Sequence, residues 1–425
     1  MRDVRDAFAR TGPAPTPPDR YAAGMSHSET NSDWRLDEAR LQRLIDIRHD
    51  LHAHPEVGYE EHRTSKAIQA ELTDAGVEHV AGLAGGTGVL AWIPGTSTRP
   101  AIGLRADIDA LPIEEATGLP WASTHPGRMH ACGHDGHTTV LLGAARALAE
   151  EAAAGTLDRS VVMVFQPAEE GGGGGRRMVE DGCLDGRVAP FPVEKMFGLH
   201  GWPGLDAGIV GTKDGPLLAA SDRFEIIIEG EGCHAAWPHT GRDPIAAAAA
   251  TVTGLQTIVS RNVDPLDAAV VSVTVLESGS AFNVIPMSAR LGGTARSLRP
   301  EIQNLIEAKI TTIAESIATA HDCTATVRYD RGYPVTENHP DATNRFRELA
   351  RAEVGVDRLV EIDRPAMGGE DFAYYGQVVP ACFFLLGQKP AGEEEMPELH
   401  SPRYDFNDAT LETGVRLFRR LAMEA

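Results

Sequence analysis

The stretch MHACGHDGHT, residues 129–138, contains three histidines, a cysteine and an aspartate. Cys132 and His134 stand two residues apart, so a thiolate and an imidazole can reach the same metal ion. They precede an apolar helix that the pattern predicts to begin near Thr139. Taken alone, the stretch is explained more simply by histidines that cap a helix start and an ordinary buried cysteine.

Carboxylates and histidines elsewhere in the chain favour a metal site. FQPAEEGG brings Glu169 and Glu170 to the predicted end of a strand, where adjacent carboxylates repel unless cations or protons neutralise them. GLHGWP places His200 at the end of another strand, and ELHSPRYDFND places His400 near the C-terminus. The sequence thus offers potential ligands for a two-metal site with shared ligands, namely Cys132, His134, Glu170, His200 and His400. Glu169 is then left as a general base that activates water.

The composition is typical of a globular protein and argues against some classes of binding partner. With 425 residues and 42% hydrophobic content, the chain can form two or three domains of about 100–200 residues each. The 39 basic and 61 acidic residues give a net charge of -22, which repels nucleic acid and anionic lipid. The most apolar helical candidate, Ile245 to Val259, falls short of a membrane span. We therefore expect no nucleic-acid partner and no membrane association.

The N-terminus and the cysteines bear on cellular location. Residues 1–30 lack the apolar core of a secretory signal and are predicted to be disordered, with Met25 as an alternative start. The five cysteines are scattered and include no Cys-x-x-Cys pair, unlike a disulfide framework. These features predict a cytoplasmic protein.

The predicted order of helices and strands follows two different patterns along the chain. Short β-rich runs separated by helical stretches predict a mixed-sheet α/β catalytic domain with polar residues at its strand ends. From near Ser221 the order becomes βαββαβ, which predicts an inserted ferredoxin-like domain. We therefore expect a first catalytic segment at 31–215, a lid and dimerisation domain at 216–330, and a second catalytic segment at 331–425.

Ten motifs between about Arg48 and Phe406 resemble those of one enzyme family. They are RHDLHAHPEVGYEE, LRADIDALPI, MHACGHDGHT, FQPAEE, GLHGWP, GCHAAWPH, FNVIP, GTARS, MGGEDF and LHSPRYDF. Their types and order are similar to those of the metal-dependent amidohydrolases, which include hippurate hydrolase, bacterial N-acyl-amino-acid amidohydrolases, related carboxypeptidases and plant auxin-conjugate hydrolases. The resemblance implies that the five potential ligands bind metal and that Glu169 is the catalytic base. Cys233 and Gly369 depart from the residues usual in the family, and neither is a proposed ligand.

The resemblance also suggests roles for residues outside the ligand set. Asp107 and Asp109, in RADID, stand where distant relatives carry a His-x-Asp ligand motif, and we expect them to support the ligands without binding metal. His234 in GCHAAWPH and Asn283 in FNVIP are expected to polarise the substrate carbonyl, with His234 reaching the partner subunit's site. A loop histidine and a turn asparagine are the structural alternatives. Arg296 in GTARS is a candidate partner for a substrate carboxylate, with a structural ion pair as its alternative.

The implied activity is hydrolysis of the amide bond of an N-acyl amino acid by a homodimer that pairs through its lid domains. Two divalent ions per subunit would polarise the carbonyl and acidify a water. Mixed sulfur, nitrogen and oxygen ligands are compatible with zinc, manganese, cobalt or nickel. An exopeptidase with the same site is the alternative enzyme. A metal-binding module without catalysis is the alternative of another class, although a structural site would need no free acid beside its ligands.

Overall fold

A computed structural model describes residues 34–425, so the predictions of disorder over 1–30 and of a start at Met25 lie outside the described residues. In chain order the elements are α1 (Glu38–Ala53), α2 (His62–Asp74), β1 (Glu78–Leu83), β2 (Gly88–Ile93), β3 (Ala101–Asp107), α3 (His134–Ala153), β4 (Val161–Gln166), α4 (Gly174–Asp181), β5 (Val193–Asp206), β6 (Val210–Thr212), β7 (Gly215–Leu218), β8 (Ala220–Glu229), β9 (Cys233–His234), α5 (Pro244–Asn262), β10 (Ala269–Ser278), β11 (Val284–Ile285), β12 (Ser288–Ser297), α6 (Pro300–Ala320), β13 (Thr324–Tyr333), β14 (Thr336–Asn338), α7 (Pro340–Val354), β15 (Leu359–Glu361), α8 (Ala373–Gly376), β16 (Ala381–Lys389) and α9 (Leu411–Glu424). Within residues 34–425, no helix has the length and apolar character needed to cross a membrane.

Eight strands form a mixed sheet in the order β1-β2-β4-β3-β5-β16-β6-β15. The centre of this sheet is parallel, since β3 pairs in parallel with β4 and β5, and β5 with β16. Every residue of β3 and β4 is buried. Helices α3 and α9 pack on this sheet and α1 packs on both of them, while α4 and α8 pack with a core cluster that includes residues of β2 and β4. Strands buried on both faces read as continuous apolar runs, as β4 does up to Phe165, whereas β3 buries the charged residues Arg105 and Asp107 at its end.

Four further strands form an antiparallel sheet in the order β10-β12-β8-β13, with α5 and α6 packed against it. This arrangement matches the predicted βαββαβ unit. We call it the lid, Ala220–Tyr333; its last strand continues past residue 330. The lid has a hydrophobic core of its own, which includes Ile226, Leu255 and Ile306. The predicted fold class, a mixed α/β sheet with an inserted small domain, is confirmed.

Helix α3 begins earlier than the apolar pattern predicts. It starts at His134 rather than near Thr139. Polar residues of MHACGHDGHT therefore form its buried first turns, namely His134, Asp135, His137 and Thr138. Gly133 makes this possible with a left-handed φ of 91°, which glycine adopts without steric cost. A Cβ at this position would lie 2.8 Å from the Tyr404 hydroxyl.

Strand β5 is longer than predicted. The pattern places His200 at a strand end, but β5 runs from Val193 to Asp206 and His200 lies inside it. Pro203 does not end the strand, because the pairing with β16 shifts register beyond Trp202 and resumes at Asp206. An irregularity of this kind accommodates a proline, which has no N–H to donate to the ladder.

The separate core of the lid predicts a large cost for truncating one of its side chains. Ile306→Ala should lower the free energy of unfolding by about 2–5 kcal/mol, because Ile306 is fully buried. Leu266→Ala is the matched control, since Leu266 is 95% exposed and its truncation should cost less than about 0.5 kcal/mol. Urea unfolding followed by circular dichroism measures both. Equal losses would contradict a packed lid core.

Candidate active site

Cys132, His134 and His200 converge from two segments of the chain. Cys132 precedes α3, His134 opens that helix, and His200 lies in β5; all three are buried. Their ligand atoms lie within 4.8 Å of one another, and Cys132 Sγ is 3.4 Å from His200 Nε2. His200 Nδ1 lies 2.7 Å from the carbonyl oxygen of Gly201. Donation of Nδ1–H to that oxygen leaves the Nε2 lone pair facing the cysteine sulfur.

A second group of donors shares the same cysteine. The ligand atoms of Cys132, Glu170 and His400 also lie within 4.8 Å of one another. His400 Nε2 is 3.2 Å from Glu170 Oε1, and the His400 N–H donates to the carbonyl oxygen of Ala131 at 2.8 Å. The structure thus brings the five predicted ligands into two overlapping trios with Cys132 in common.

The environment of His134 fits a metal ion. Its Nδ1 lies 2.9 Å from the carbonyl oxygen of Asp109 and 3.3 Å from Asp109 Oδ1. Its Nε2 is buried without a hydrogen-bond partner, 3.5 Å from Asp107 Oδ2 and 3.9 Å from Glu170 Oε1. A buried nitrogen without a partner is costly, and a cation among these carboxylates would satisfy it. Asp109 also accepts the Glu170 N–H at 2.9 Å, so it orients two of the candidate ligands.

His137 lies beside these donors but has its own partners. Its Nδ1 lies 2.7 Å from Asp107 Oδ1, and its Nε2 accepts the N–H of Gly201 at 2.8 Å. With both nitrogens used, His137 supports Asp107 and the backbone next to His200. Sequence reasoning offers His137 only as a histidine that caps a helix start, although it belongs to the MHACGHDGHT motif.

The charges around these donors favour a bound cation. Burial lowers the pKa of His134, but Asp107, Asp109 and Glu170 outweigh it and raise that pKa to about 10. Burial raises the pKa of the Cys132 thiol well above its usual range, and Glu170 and Glu169 raise it further. A metal ion reverses both effects, because its own charge favours the neutral imidazole and the thiolate.

Glu169 lies buried in the loop after β4. Its Oε1 accepts a long hydrogen bond, 3.4 Å, from the Asp371 N–H. Burial raises the pKa of Glu169 well above its ordinary value, and Glu370 and Glu170 add to this rise through charge repulsion. A carboxylate in these surroundings takes up a proton readily, as a general base must.

The buried carboxylates around Glu169 are balanced by Arg105 of β3, which is fully buried. Its guanidinium donates to Asp107 at 2.9 Å and to Asp371 at 3.0 Å, and Glu370 Oε1 is also 3.0 Å away. Sequence reasoning assigned no role to Arg105, Glu370 or Asp371. Their presence in the motifs LRADIDALPI and MGGEDF was the signal that could have found them.

A cavity of about 500 Å³ opens beside these groups and extends to the lid. Glu169, Glu170 and His200 line it from the large sheet, and Arg296 and Tyr333 line it from the lid. Its other lining residues are Cys132, Gly171, Trp202, Leu218, Ser221, Arg223, Ala366, Gly368, Gly369, Glu370, Leu399 and His400.

His234 and Asn283 do not line this cavity. They lie together on the exposed surface of the lid, where β9 pairs with β11 and the Ala235 N–H donates to the carbonyl oxygen of Asn283 at 3.0 Å. The structure therefore brings the predicted ligands and Glu169 together within one subunit, but not His234 and Asn283.

Comparison with known proteins extends the family resemblance over most of the chain. The family model described as Peptidase family M20/M25/M40 matches residues 103–424. An N-acetyl-L-cysteine deacetylase of Bacillus subtilis (strain 168) is 45% identical over 347 residues, which cover 81% of this chain and 80% of the relative. An IAA-amino acid hydrolase ILR1-like 5 of Arabidopsis thaliana is 40% identical over 383 residues, or 89% and 86% of the two chains.

A solved structure agrees in both fold and sequence. The YXEP protein of Bacillus subtilis, described as a dinuclear metal binding peptidase from the M20 family, has a TM-score of 0.78 and 37% identity. The match covers 91% of this chain and 98% of that one. The predicted resemblance is thereby confirmed, and the chain belongs to Peptidase family M20/M25/M40.

Proposed function

We propose that this protein hydrolyses the amide bond of N-acyl amino acids, releasing a carboxylate and a free amino acid. One observation carries the proposal: the buried carboxylate of Glu169 lines the same cavity as the convergent donors Cys132, Glu170, His200 and His400. An acid that is left free beside a metal site is the arrangement of a hydrolase rather than of a structural site. The relatives named as an N-acetyl-L-cysteine deacetylase and an IAA-amino acid hydrolase support it, because both act on conjugated amino acids.

Divalent metal ions belong to this function, and the donor set fits two of them per subunit. We assign them to the two overlapping trios, with the Cys132 sulfur within reach of both. When bound, the ions supply a polarised carbonyl and a water of lowered pKa. The donors suit zinc, manganese, cobalt or nickel, and metal analysis of the purified protein distinguishes these.

The chain's own residues would move the proton and hold the substrate. Glu169 would take a proton from the attacking water and deliver it to the leaving nitrogen. Arg296 would pair with the substrate carboxylate. In the described part of the chain its hydrogen bonds go to the backbone carbonyls of Asp222 and Ala295, at 3.4 and 3.0 Å, which supports this role over a structural ion pair.

We propose that His234 and Asn283 stabilise the oxyanion across a homodimer. They lie side by side on the lid yet do not line the cavity of their own subunit. Large apolar side chains are exposed in the same segments, namely Trp237, Phe282, Val284 and Met287. A cluster of this kind is typical of a protein interface. A two-fold pairing of lids would cover these side chains and carry His234 toward the other subunit.

A cytoplasmic location is also part of the proposal. All five cysteines are free, as expected in a reducing compartment. A reduced Cys132 is also what the proposed metal ligation requires.

A substrate panel tests the function. Protein reconstituted with zinc, manganese, cobalt or nickel should release free amino acid from acetyl- and benzoyl-amino acids, and a chelator should abolish the release. The same assay with dipeptides tests the exopeptidase alternative. Turnover confined to dipeptides would contradict the proposed substrate class.

Substitution of the two adjacent carboxylates separates the base from the ligand. Glu169→Gln should retain the metal ions and lose turnover by a factor of about 10²–10⁴, the usual contribution of a general base. Glu170→Gln should lose metal, because the neutral amide is a poor ligand. Each variant is measured by metal analysis and by kcat. Equal metal loss in the two variants would show that the division of roles is wrong.

Mixed dimers test whether His234 acts across the interface. Glu169→Ala and His234→Ala, each inactive alone, are mixed under conditions that allow subunit exchange. One site of a mixed dimer then lacks both residues and the other has both. Random reassociation makes about half of the dimers mixed, so activity should recover to about a quarter of wild type. No recovery after demonstrated exchange would place His234 outside the partner's site.

A further inference from the structure

Tyr333 ends the strand by which the chain leaves the lid. It pairs with Ser221 at the start of β8, so the two connections between the lid and the large sheet lie side by side. We call Ser221 and Tyr333 the hinge pair. The register shifts between Asp330 and Tyr333, and the buried Asp222 carboxylate holds this irregular turn by accepting the Gly332 N–H at 3.1 Å. The hydrogen bond to Asp222 therefore fixes the backbone immediately before Tyr333.

The Tyr333 hydroxyl reaches from the hinge pair into the loop that carries the proposed base, residues 167–173, here called the base loop. It donates a hydrogen bond to the carbonyl oxygen of Glu169. It also accepts the N–H of Gly173 at 3.1 Å. A tyrosine hydroxyl has a single hydrogen to donate, so this donor is committed to the backbone of Glu169.

The base loop needs bonds from outside itself. Ala168 has a φ of 53°, in the left-handed region that residues with a Cβ rarely adopt. The large-sheet domain also holds the base loop: Glu61 accepts the Ala168 N–H at 2.8 Å, Asp109 accepts the Glu170 N–H at 2.9 Å, and the Tyr59 hydroxyl donates to the carbonyl oxygen of Gly172 at 2.6 Å. Within residues 34–425, Tyr333 supplies the hydrogen bonds that tie the base loop to the lid.

We propose that Tyr333 is a positioning residue that couples the lid to the general base. The proposal rests on the proposed function, in which Glu169 is that base. The hydroxyl holds the Glu169 peptide only while the hinge pair keeps its present arrangement, so a displacement of the lid removes these two hydrogen bonds and leaves the base loop held by the large-sheet domain alone. Tyr333 also lines the cavity, but its hydrogen bonds go to backbone groups. Its hydroxyl therefore affects turnover rather than substrate affinity.

The first test compares Tyr333 with the neighbouring Tyr374 of α8. Tyr333→Phe removes both hydrogen bonds to the base loop. Tyr374→Phe is the matched control, because the Tyr374 hydroxyl donates to the carbonyl oxygen of Gly332 at 3.1 Å and its ring packs 6.2 Å from that of Tyr333. Tyr333→Phe should lower kcat about tenfold with KM and metal content unchanged, whereas Tyr374→Phe should stay within about twofold of wild type. Equal kcat values in the two variants would overturn the proposal.

The second test asks whether Tyr333 acts through Glu169. In the Glu169→Gln background, adding Tyr333→Phe should leave the residual kcat unchanged, because residues that act as one unit are not additive. A tenfold loss in both backgrounds would overturn the coupling, as would a rise in KM at unchanged kcat. Wild-type turnover by Glu169→Gln would instead overturn the proposed role of Glu169, so the two failures are distinguishable.

Discussion

The buried guanidinium of Arg105 is the interaction on which the site depends. It joins Asp107, at the end of its own strand, to Asp371, which lies 266 residues after Arg105 in the chain. A buried carboxylate or guanidinium left without its partner costs several kcal/mol, so these segments are stable only together. The pairing then extends outward: Asp107 contacts His137 of α3 at 2.7 Å, and Asp371 accepts the N–H of Gly175 in α4 at 2.8 Å. The Arg105 guanidinium thereby sets the relative positions of the end of β3, the turn before α8, and the helices α3 and α4.

A second buried arginine ties segments near the two ends of the described chain to the stretch 129–138, which carries two of the candidate ligands. Arg48 of α1 donates to Asp135 at 3.0 Å and also pairs with Asp405. Asp135 lies in the first turn of α3, where the helix dipole favours a carboxylate. Asp405 belongs to the segment that carries His400. The last candidate ligand is thus held near the first by a charge network that lies outside the cavity.

The sequence predicts the site residues that lie close together in the chain, and it does not predict contacts between residues that are far apart in the chain. Residues that are close in the chain must also be close in space, which is why the Cys132–His134 spacing and the Glu169–Glu170 pair could be interpreted from the sequence. The βαββαβ order follows from the alternation of helical and strand-like residue patterns. The start of α3 depends on the left-handed turn at Gly133, which the apolar periodicity does not record. The distant partners of Arg105, Glu370 and Asp371, depend on which segments become neighbours in the fold.

The strand order of the large sheet and the position of the Tyr333 hydroxyl also depend on contacts between distant parts of the chain. Non-consecutive strands pair at its centre, as β3 does with β5 and β5 with β16, and apolar runs of similar composition do not identify their own neighbours. Tyr333 lies in none of the ten motifs. Its position follows from the register of β13 on β8, which is set by packing within the lid.

In the proposed assignment, the large-sheet domain and the lid have different roles in the reaction. All five candidate ligands and Glu169 belong to the large-sheet domain, whereas His234, Asn283, Arg296 and Tyr333 belong to the lid. Metal ligands must keep their geometry whether or not substrate is present, so a densely buried parallel sheet suits them. Groups that contact the substrate are needed only during turnover, and the lid carries them on a separate core through one pair of adjacent connections. A change in lid position can therefore alter the rate of the reaction without releasing the metal.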